Sequence, residues 1–253
     1  PESARYPLNN LSQKEINKLN AVTDPPTIGI VRKLEVPIKL NYEDLNPNTA
    51  RKNGTGKIIG DSVLVLIYYI ESPEAKSIKI NIEQSKVPPN IDFYIYNENK
   101  QFFGPYSSSQ IDENGYWSHS LFSNHVYFQI RIPFNAKLSK DVSVRVNKIS
   151  HIKTNLGEKI LKSSKSLSCY EDVNCSLAED YSNISLLKKS VALFEWTYDG
   201  TTRAGTGALL NNSDEDNQPL FLTANHVINS DNQAENSNFY FDYRTNSCNS
   251  GSH

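Results

Sequence analysis

The amino-acid sequence predicts an all-β protein, with an antiparallel β-sandwich or jelly roll over residues 26–150. Apolar and polar residues alternate strictly in three segments of this region, 77–83, 125–132 and 142–146. A period-2 pattern buries one face of a strand and leaves the other face in water. Turns rich in Pro, Asn and Gly separate the alternating segments, as is typical of sandwiches and jelly rolls. In the first segment we expect Lys79 and Asn81 to face water.

The composition argues against several classes of function. The chain has 253 residues and a formal net charge of -2, with 26 basic and 28 acidic residues interspersed. Nucleic-acid binding needs a basic surface that neutralises phosphates, and a membrane-spanning helix needs an apolar run of about 18 residues; neither is present. No cofactor motif occurs, and His119 and His125 lack a third metal ligand. We therefore expect no nucleic-acid partner, no membrane span, no cofactor and no metal site.

The use of sulfur-containing residues predicts export. The chain has no methionine, even at position 1, and its three cysteines all lie in the last third. The amino terminus is therefore expected to arise by processing, as after removal of a signal peptide, which predicts a secreted protein, extracellular or periplasmic. An odd number of cysteines in an exported chain implies that one disulfide partner lies outside it.

Residues 1–25 are predicted to form an amino-terminal extension with one short helix. Ser12-Gln13-Lys14-Glu15 is a capping box, in which the serine hydroxyl and the glutamate carboxylate each accept a backbone N–H. Ile16 and Leu19 then share one helix face. This pattern indicates packing and carries no chemistry.

An aromatic series within the sandwich region has two interpretations. Its members lie at 93–96, 103–106 and 115–117. Exposed aromatic faces can stack on sugars, which would make a sugar-binding surface. Alternation places most of these residues on one buried face, so filling of the core is the favoured interpretation.

Residues 151–168 are predicted to form an exposed linker. Four lysines stand among serines in this stretch, and such segments are natural sites of proteolytic cleavage. We expect His151 to lie on the surface, as for His119 and His125.

After Cys169 the pattern is β again. Residues 190–196 alternate, Asp199-Gly200 is a two-residue hairpin signal, and 201–210 is the expected partner strand. A further strand over 220–224 is predicted to deliver His226 to a surface.

Four segments of this second region share their order and approximate spacing with a known family. They are Ser-Cys-Tyr-Glu-Asp-Val-Asn-Cys at 168–175, Gly-Thr-Gly-Ala-Leu-Leu-Asn-Asn at 205–212, Phe-Leu-Thr-Ala-Asn-His at 221–226, and Phe-Tyr-Phe-Asp-Tyr at 239–243 with Cys248 behind it. Together they resemble the start of the mature chain of secreted bacterial trypsin-like serine proteases of the lysyl-endopeptidase kind. The aromatic stretch from 93 to 130 resembles the pro-region of that family.

The resemblance implies a two-part architecture. Residues 26–150 would be a jelly-roll or β-sandwich pro-domain, and 169–253 the incomplete N-terminal β-barrel half of a chymotrypsin-like (trypsin-like) fold. His226 would be the general base of a serine endopeptidase that cleaves peptides or proteins after Lys or Arg. Asp231 lies too close to His226, in a turn, and Asp242 lies in a tyrosine-rich strand, so neither suits the catalytic acid. No Gly-Asp-Ser-Gly or Gly-x-Ser-x-Gly occurs.

The aspartate and serine are therefore expected from a downstream carboxyl-terminal barrel, and this chain alone should be inactive. The resemblance pairs Cys175 with Cys248 and gives Cys169 a partner outside this chain. It also points to processing of a zymogen after Lys162 or Lys165. The family has a cysteine after its histidine and another on the preceding strand; here Val227 and a residue near Ala204 or Gly205 stand in those places.

Two alternatives remain open. The chain could be a secreted β-sandwich binding or adhesion module fused to an inactive protease-like domain. It could also be a fragment that ends in a flexible loop, since 246–253 is rich in Asn, Ser and Gly.

Overall fold

The computed structural model describes residues 4–53, 56–60, 62–153, 174–175, 181–214, 216, 218–244 and 247–248. The chain forms two compact units. The first unit comprises Pro1–Ile16 and Ile30–Lys153, and the second comprises Asn17–Gly29 and Thr154–His253. The sequence predicts domain boundaries after residues 25, 150 and 168. The two units of the structure are defined by contacts, and each of them contains two separate segments of the chain.

The described residues are mostly β, which confirms the all-β prediction at the level of fold class. The strands are β1 (Ala4–Pro7), β2 (Thr27–Leu40), β3 (Lys57–Ile59), β4 (Val63–Glu71), β5 (Ser77–Ser85), β6 (Asp92–Tyr96), β7 (Phe102–Tyr106), β8 (Tyr116–Trp117), β9 (His125–Pro133), β10 (Ser143–Ile152), β11 (Val191–Tyr198), β12 (Thr201–Leu210), β13 (Leu220–Leu222) and β14 (Ser237–Phe241). The helices are α1 (Gln13–Asn20), α2 (Tyr42–Leu45), α3 (Pro47–Asn53), α4 (Ile184–Ser190) and α5 (Asp231–Glu235). No helix among the described residues is long and apolar enough to cross a membrane.

The first unit has two sheets whose inner faces share one apolar core. One sheet has the order β1-β4-β9-β6-β7, with β3 also paired to β4. The other contains the run β2-β10-β5-β8. Core side chains come from both sheets, among them Leu66 and Phe128 from one and Ile80 and Val144 from the other. The two layers explain why apolar residues recur at every second position of these strands.

The alternating pattern predicts the buried residues of β9 correctly, whereas in β5 it identifies only the apolar ones and misses the buried polar ones. In β9 the residues of one parity are buried and those of the other are partly or fully exposed. In β5 every residue from Ser77 to Ile82 is buried, so the expectation that Lys79 and Asn81 face water is wrong. The turn that ends at Gly115 lies against the Asn81 side chain. Period-2 alternation reports which side chains are apolar, and it cannot report that a second layer covers the polar face.

The histidines of the first unit are less exposed than predicted. β10 continues through Ile152, so His151 is a fully buried strand residue and does not lie in a surface linker. His119 is half-buried, stacks on Phe103 with ring centroids 4.6 Å apart and lies 2.8 Å from the Tyr106 hydroxyl through Nδ1. His125 is half-buried beside Glu98. Each of these rings is held by neighbours that lie far away in sequence.

Most of the aromatic series is structural. Phe93, Tyr106 and Trp117 are buried. Tyr94 lies between two neighbours, since it stacks on Phe102 and the Arg131 guanidinium lies over its ring. Ring faces occupied in this way are not available to a sugar, which favours the packing interpretation.

The predicted helix start is present in α1. The Ser12 backbone N–H donates to the Glu15 carboxylate at 2.7 Å, and the Glu15 N–H donates to Ser12 Oγ at 3.4 Å. This reciprocal pair is the capping box. Leu19 is buried, so the apolar face of this short helix contributes to packing.

The second unit is a small curled sheet built around one hairpin. β11 and β12 pair along their full length from Val191↔Ala208 to Tyr198↔Thr201. Asp199 and Gly200, which connect them, both have positive φ (46° and 71°), as a type I′ turn requires. β14 pairs with the other side of β11, and β13 pairs with the end of β12. The sheet curls as a half-barrel.

Candidate functional site

His226 lies on an exposed turn just beyond β13. The strand ends at Leu222, two residues earlier than predicted, because the chain then turns. The N–H groups of Val227 and Ile228 both donate to the Ala224 carbonyl, at 2.9 Å and 3.2 Å. This single helical turn presents the His226 side chain to solvent.

The entrance to the turn is fastened to β12 by a side chain. Thr223 Oγ1 donates a hydrogen bond of 2.9 Å to the Thr206 carbonyl. Two residues earlier, the Phe221 ring enters an aromatic cluster with Phe194 and Phe239, at centroid distances of 5.5 Å and 4.6 Å. The apolar residue and the threonine together fix where β13 stops and the turn begins.

Two glycines of β12 permit the close approach of this turn. A Cβ on Gly207 would lie 2.4 Å from the Leu222 carbonyl oxygen and 2.4 Å from the Phe221 ring. A Cβ on Gly205 would lie 2.7 Å from Val227 Cγ1. Val227 therefore occupies the space directly over Gly205, which identifies Gly205, and not Ala204, as the residue opposite Val227. The pair makes an apolar contact where the resembled family has two cysteines.

No carboxylate orients the His226 imidazole among the described residues. Its side chain makes no hydrogen bond or ion pair with any of them. Asp242 instead pairs with Arg244 Nε at 2.7 Å. Asp231 begins α5, whose amino terminus is capped by Ser230. The structure thus shows an accessible imidazole on a fixed turn, and it does not bring either aspartate to that imidazole.

Sequence reasoning overlooked a buried carboxylate in this unit. Glu195 is fully buried in β11. Its Oε1 accepts a hydrogen bond of 3.1 Å from the Tyr240 hydroxyl and a longer one of 3.4 Å from Asn238 Nδ2. The available signal was a glutamate within an otherwise apolar alternating strand. Both donors lie on β14, so Glu195 ties β14 to β11.

Cys175 and Cys248 form a disulfide with Cα atoms 4.6 Å apart, and it closes a loop with a sequence separation of 73. Near it, Arg244 Nη1 donates to Asn174 Oδ1 at 3.2 Å. Cys169, Lys162 and Lys165, which the sequence analysis assigns to a second disulfide and to processing, lie outside the described residues. Within the described part of the chain, no group of three or more His, Cys, Asp or Glu side chains could hold a metal ion.

Comparison with known protein families gives a match over the last part of the chain. Residues 163–253 match the family described as lysyl endopeptidase, C-terminal domain. No curated protein and no solved structure matches the chain. Over these residues the chain is similar to peptidases of the lysyl-endopeptidase kind, which are hydrolases with peptide substrates. The curled β-rich sheet is consistent with the all-β chymotrypsin-like fold.

The close approach of β13 to β12 makes Gly207 the most sensitive position of this site. Gly207→Ala should lower the free energy of unfolding of the second unit by about 2–4 kcal/mol, because its methyl group meets a backbone oxygen that cannot move alone. Urea unfolding followed by Trp196 fluorescence, in a Trp117→Phe background, would measure this change. Thr206→Ala is the matched control, since that side chain is exposed and its carbonyl still accepts from Thr223. Equal stability of the two variants would contradict the packing described.

A disulfide bond introduced between positions 205 and 227 should form, because Val227 lies directly over Gly205. The double variant Gly205→Cys/Val227→Cys should form a disulfide between these two positions under oxidising conditions, because the substituted atoms lie within bonding reach. Peptide mapping by mass spectrometry without reduction would detect the cross-linked peptide. Gly205→Cys/Ile228→Cys moves the second thiol by one residue and should not cross-link. A cross-link in the second double variant but not in the first would refute the assignment.

Proposed function

We propose that the chain is the amino-terminal portion of the precursor of an exported trypsin-like serine endopeptidase, with His226 as the general base. The observation that carries the proposal is the family match over 163–253, which includes an exposed histidine on a turn fixed by Thr223 and Val227. A lysyl-endopeptidase relationship favours cleavage after Lys, with Arg as the chemically related choice. The disulfide between Cys175 and Cys248 supports an oxidising, extracytoplasmic location.

The chemistry assigned to His226 follows from its side chain. An imidazole can accept the proton of a serine hydroxyl near neutral pH and return it to the leaving amine. A carboxylate on Nδ1 must hold the ring in the correct tautomer, and amide donors must stabilise the oxyanion. We assign the carboxylate, the nucleophilic serine and the oxyanion amides to a downstream segment. The chain by itself is then inactive.

The surface of the second unit supports a missing partner barrel. Large apolar side chains of β12, β13 and β14 are substantially exposed, with Leu222 at 59% and Phe239 and Phe241 at 43% each. Exposed apolar side chains clustered in this way mark a surface that another element covers. A carboxyl-terminal barrel is the partner that fits, because it would also supply the rest of the site.

The first unit is assigned the role of a pro-domain. The family match begins at residue 163, directly after Lys162, which supports a boundary in the lysine-containing segment. Cleavage after Lys162 or Lys165 would separate the first unit from the matched region. If the mature enzyme prefers lysine, the cleavage can be autocatalytic. The one finding that favours an alternative, a binding or adhesion module fused to an inactive protease-like domain, is that no described carboxylate contacts His226.

The assignment of His226 predicts the effect of its removal. In the full-length parent protein, His226→Ala should lower kcat against a lysine-containing peptide by at least about 10⁴-fold, because the nucleophile loses its base. The free energy of unfolding should change by less than about 0.5 kcal/mol, since the side chain is exposed. Asn225→Ala, on the same turn, should keep nearly full activity. Full activity of the His226 variant would refute the proposal.

The position of the processing site predicts the mature amino terminus. Sequencing the amino terminus of matured full-length protein should give a start at Ser163 or Ser166, directly after one of the two lysines. The double variant Lys162→Gln/Lys165→Gln should accumulate as unprocessed precursor, whereas Lys137→Gln/Lys140→Gln, in the first unit, should mature normally. A mature start well outside 160–168 would show that the processing assignment is wrong.

A further inference from the structure

The first unit contains a buried hydrogen-bonded network with ionisable side chains, which the proposed function does not use. His151 and Ser72 are both 0% exposed, and Ser72 Oγ lies 2.8 Å from His151 Nδ1. Arg32 Nη1 donates to the same Ser72 Oγ at 3.1 Å. Because the serine has one proton and accepts from Arg32, the completed network has Ser72 donating to a neutral His151.

Arg32 connects this pair to the amino-terminal segment. Its Nε donates to Glu15 Oε1 at 2.9 Å, and its Nη2 donates to the Asn9 carbonyl at 2.8 Å. The chain passes between the two units after residues 16, 29 and 153. Glu15, Arg32 and His151 each lie within two or three residues of one of these passages. One hydrogen-bonded network therefore joins, inside the first unit, the three segments that lead into or out of it.

The surroundings of His151 disfavour a positive charge on its ring. Burial first, and then the positive charges of Arg32 and Lys153, together lower the pKa of His151 to about 4, while Glu15 opposes them. Lys153 Nζ lies 3.9 Å from Glu74 Oε2, so the Glu74 carboxylate is paired with that cation. Among the described residues, His151 Nε2 has no hydrogen-bond partner. An imidazolium would thus bring a second buried cation beside Arg32.

The end of β10 that carries His151 is joined both to β5 and to the 72–76 turn. His151 and Ile152 are the last residues of β10 and pair with Ile78 and Ser77 of β5. The Lys76 N–H donates to the Ile152 carbonyl at 2.7 Å, and the Ala75 N–H donates to the Ser72 carbonyl at 3.2 Å. Loss of the bond between Ser72 and His151 would therefore loosen both the 72–76 turn and the end of β10.

We propose that the network of His151, Ser72 and Arg32 is an acid-sensitive latch, which holds the end of β10 and the 72–76 turn closed while His151 is neutral. Protonation of His151 opens this end of the first unit. The latch is a property of the first unit and does not depend on the proposed protease function. In a precursor it would give the amino-terminal unit a response to acidification close to the point where the chain leaves it.

The pH range of the response follows from the direction of the pKa shift. The pKa of His151 is lower in the folded protein than the ordinary 6.5, so the open state binds the proton more tightly. The free energy that neutral His151 contributes to the closed latch is therefore complete above pH 6.5 and is lost as the pH falls towards 4. The pKa of Glu98 is lowered to about 2, mainly by the Tyr127 hydroxyl, and that of Glu15 is lowered as well. Both shifts are downward, so neither of these carboxylates accounts for a loss of stability that begins below pH 6.5.

Hydrogen exchange at the Ala75 and Lys76 amides, which donate to the Ser72 and Ile152 carbonyls, tests the latch on the whole chain. Between pH 7 and pH 4.5, after correction for intrinsic exchange, the opening constant there should rise roughly fifty- to a hundredfold. Amides in the middle of β4 and β9 should change far less. His151→Gln keeps a hydrogen-bonding group but does not titrate, so it should abolish the response. His125→Gln is the matched control and should retain it.

Three outcomes would overturn the proposal. They are a wild-type opening constant that does not depend on pH, an unchanged response in His151→Gln, and an increase that is equal throughout the first unit. If His151→Gln does not fold, NMR titration of the wild-type imidazole resonances decides the question. A His151 midpoint near 4 supports the latch, and a midpoint above 6 refutes it.

Discussion

The contact between β13 and β12 determines where the candidate catalytic histidine lies. Gly207 allows the backbone of β13 to approach to a distance that a side chain there would prevent, and Gly205 leaves space for the Val227 side chain. Once that approach is made, Phe221 fills the interior and Thr223 reaches the Thr206 carbonyl. The position of His226 is therefore a consequence of missing side chains on β12 as much as of the residues that surround the histidine.

This contact is held without a covalent bond. Val227 over Gly205 contributes dispersion and the burial of a few methyl groups, roughly 1–2 kcal/mol. The disulfide between Cys175 and Cys248 lies elsewhere in the unit, and closing its loop contributes about 4 kcal/mol in the chain-entropy model. That bond restrains the unfolded chain as a whole and does not fix the turn. The precision of the histidine turn thus depends on local packing, which an additional barrel against the exposed apolar side chains would reinforce.

Sequence alone predicts the elements better than their surroundings. The Asp199-Gly200 hairpin and the alternation of β9 are local properties, because turn geometry and side-chain period are encoded by adjacent residues. The burial of Lys79 and His151 depends on elements far away in sequence, so no local pattern could reveal it. Likewise the tetrad around His226 predicts an exposed imidazole, but the partners of a catalytic base are spatial neighbours. Chain position already disfavours Asp231 and Asp242 as the orienting acid, and in the structure Asp242 pairs instead with Arg244.

The buried network around Arg32 raises the question of why a core would keep such groups. Removing the Arg32 guanidinium from water is costly, and its bond to the partly exposed Glu15 carboxylate only offsets this cost, so a buried ionic group is weak support for stability. Apolar residues of similar volume would hold the same space without dependence on pH. What an apolar cluster cannot do is fix the direction of three separate segments through hydrogen bonds of defined geometry. Arg32 reaches Glu15, the Asn9 carbonyl and Ser72 from one planar group. Its role is therefore better explained by positioning than by stabilisation, and His151 makes that positioning responsive to acid.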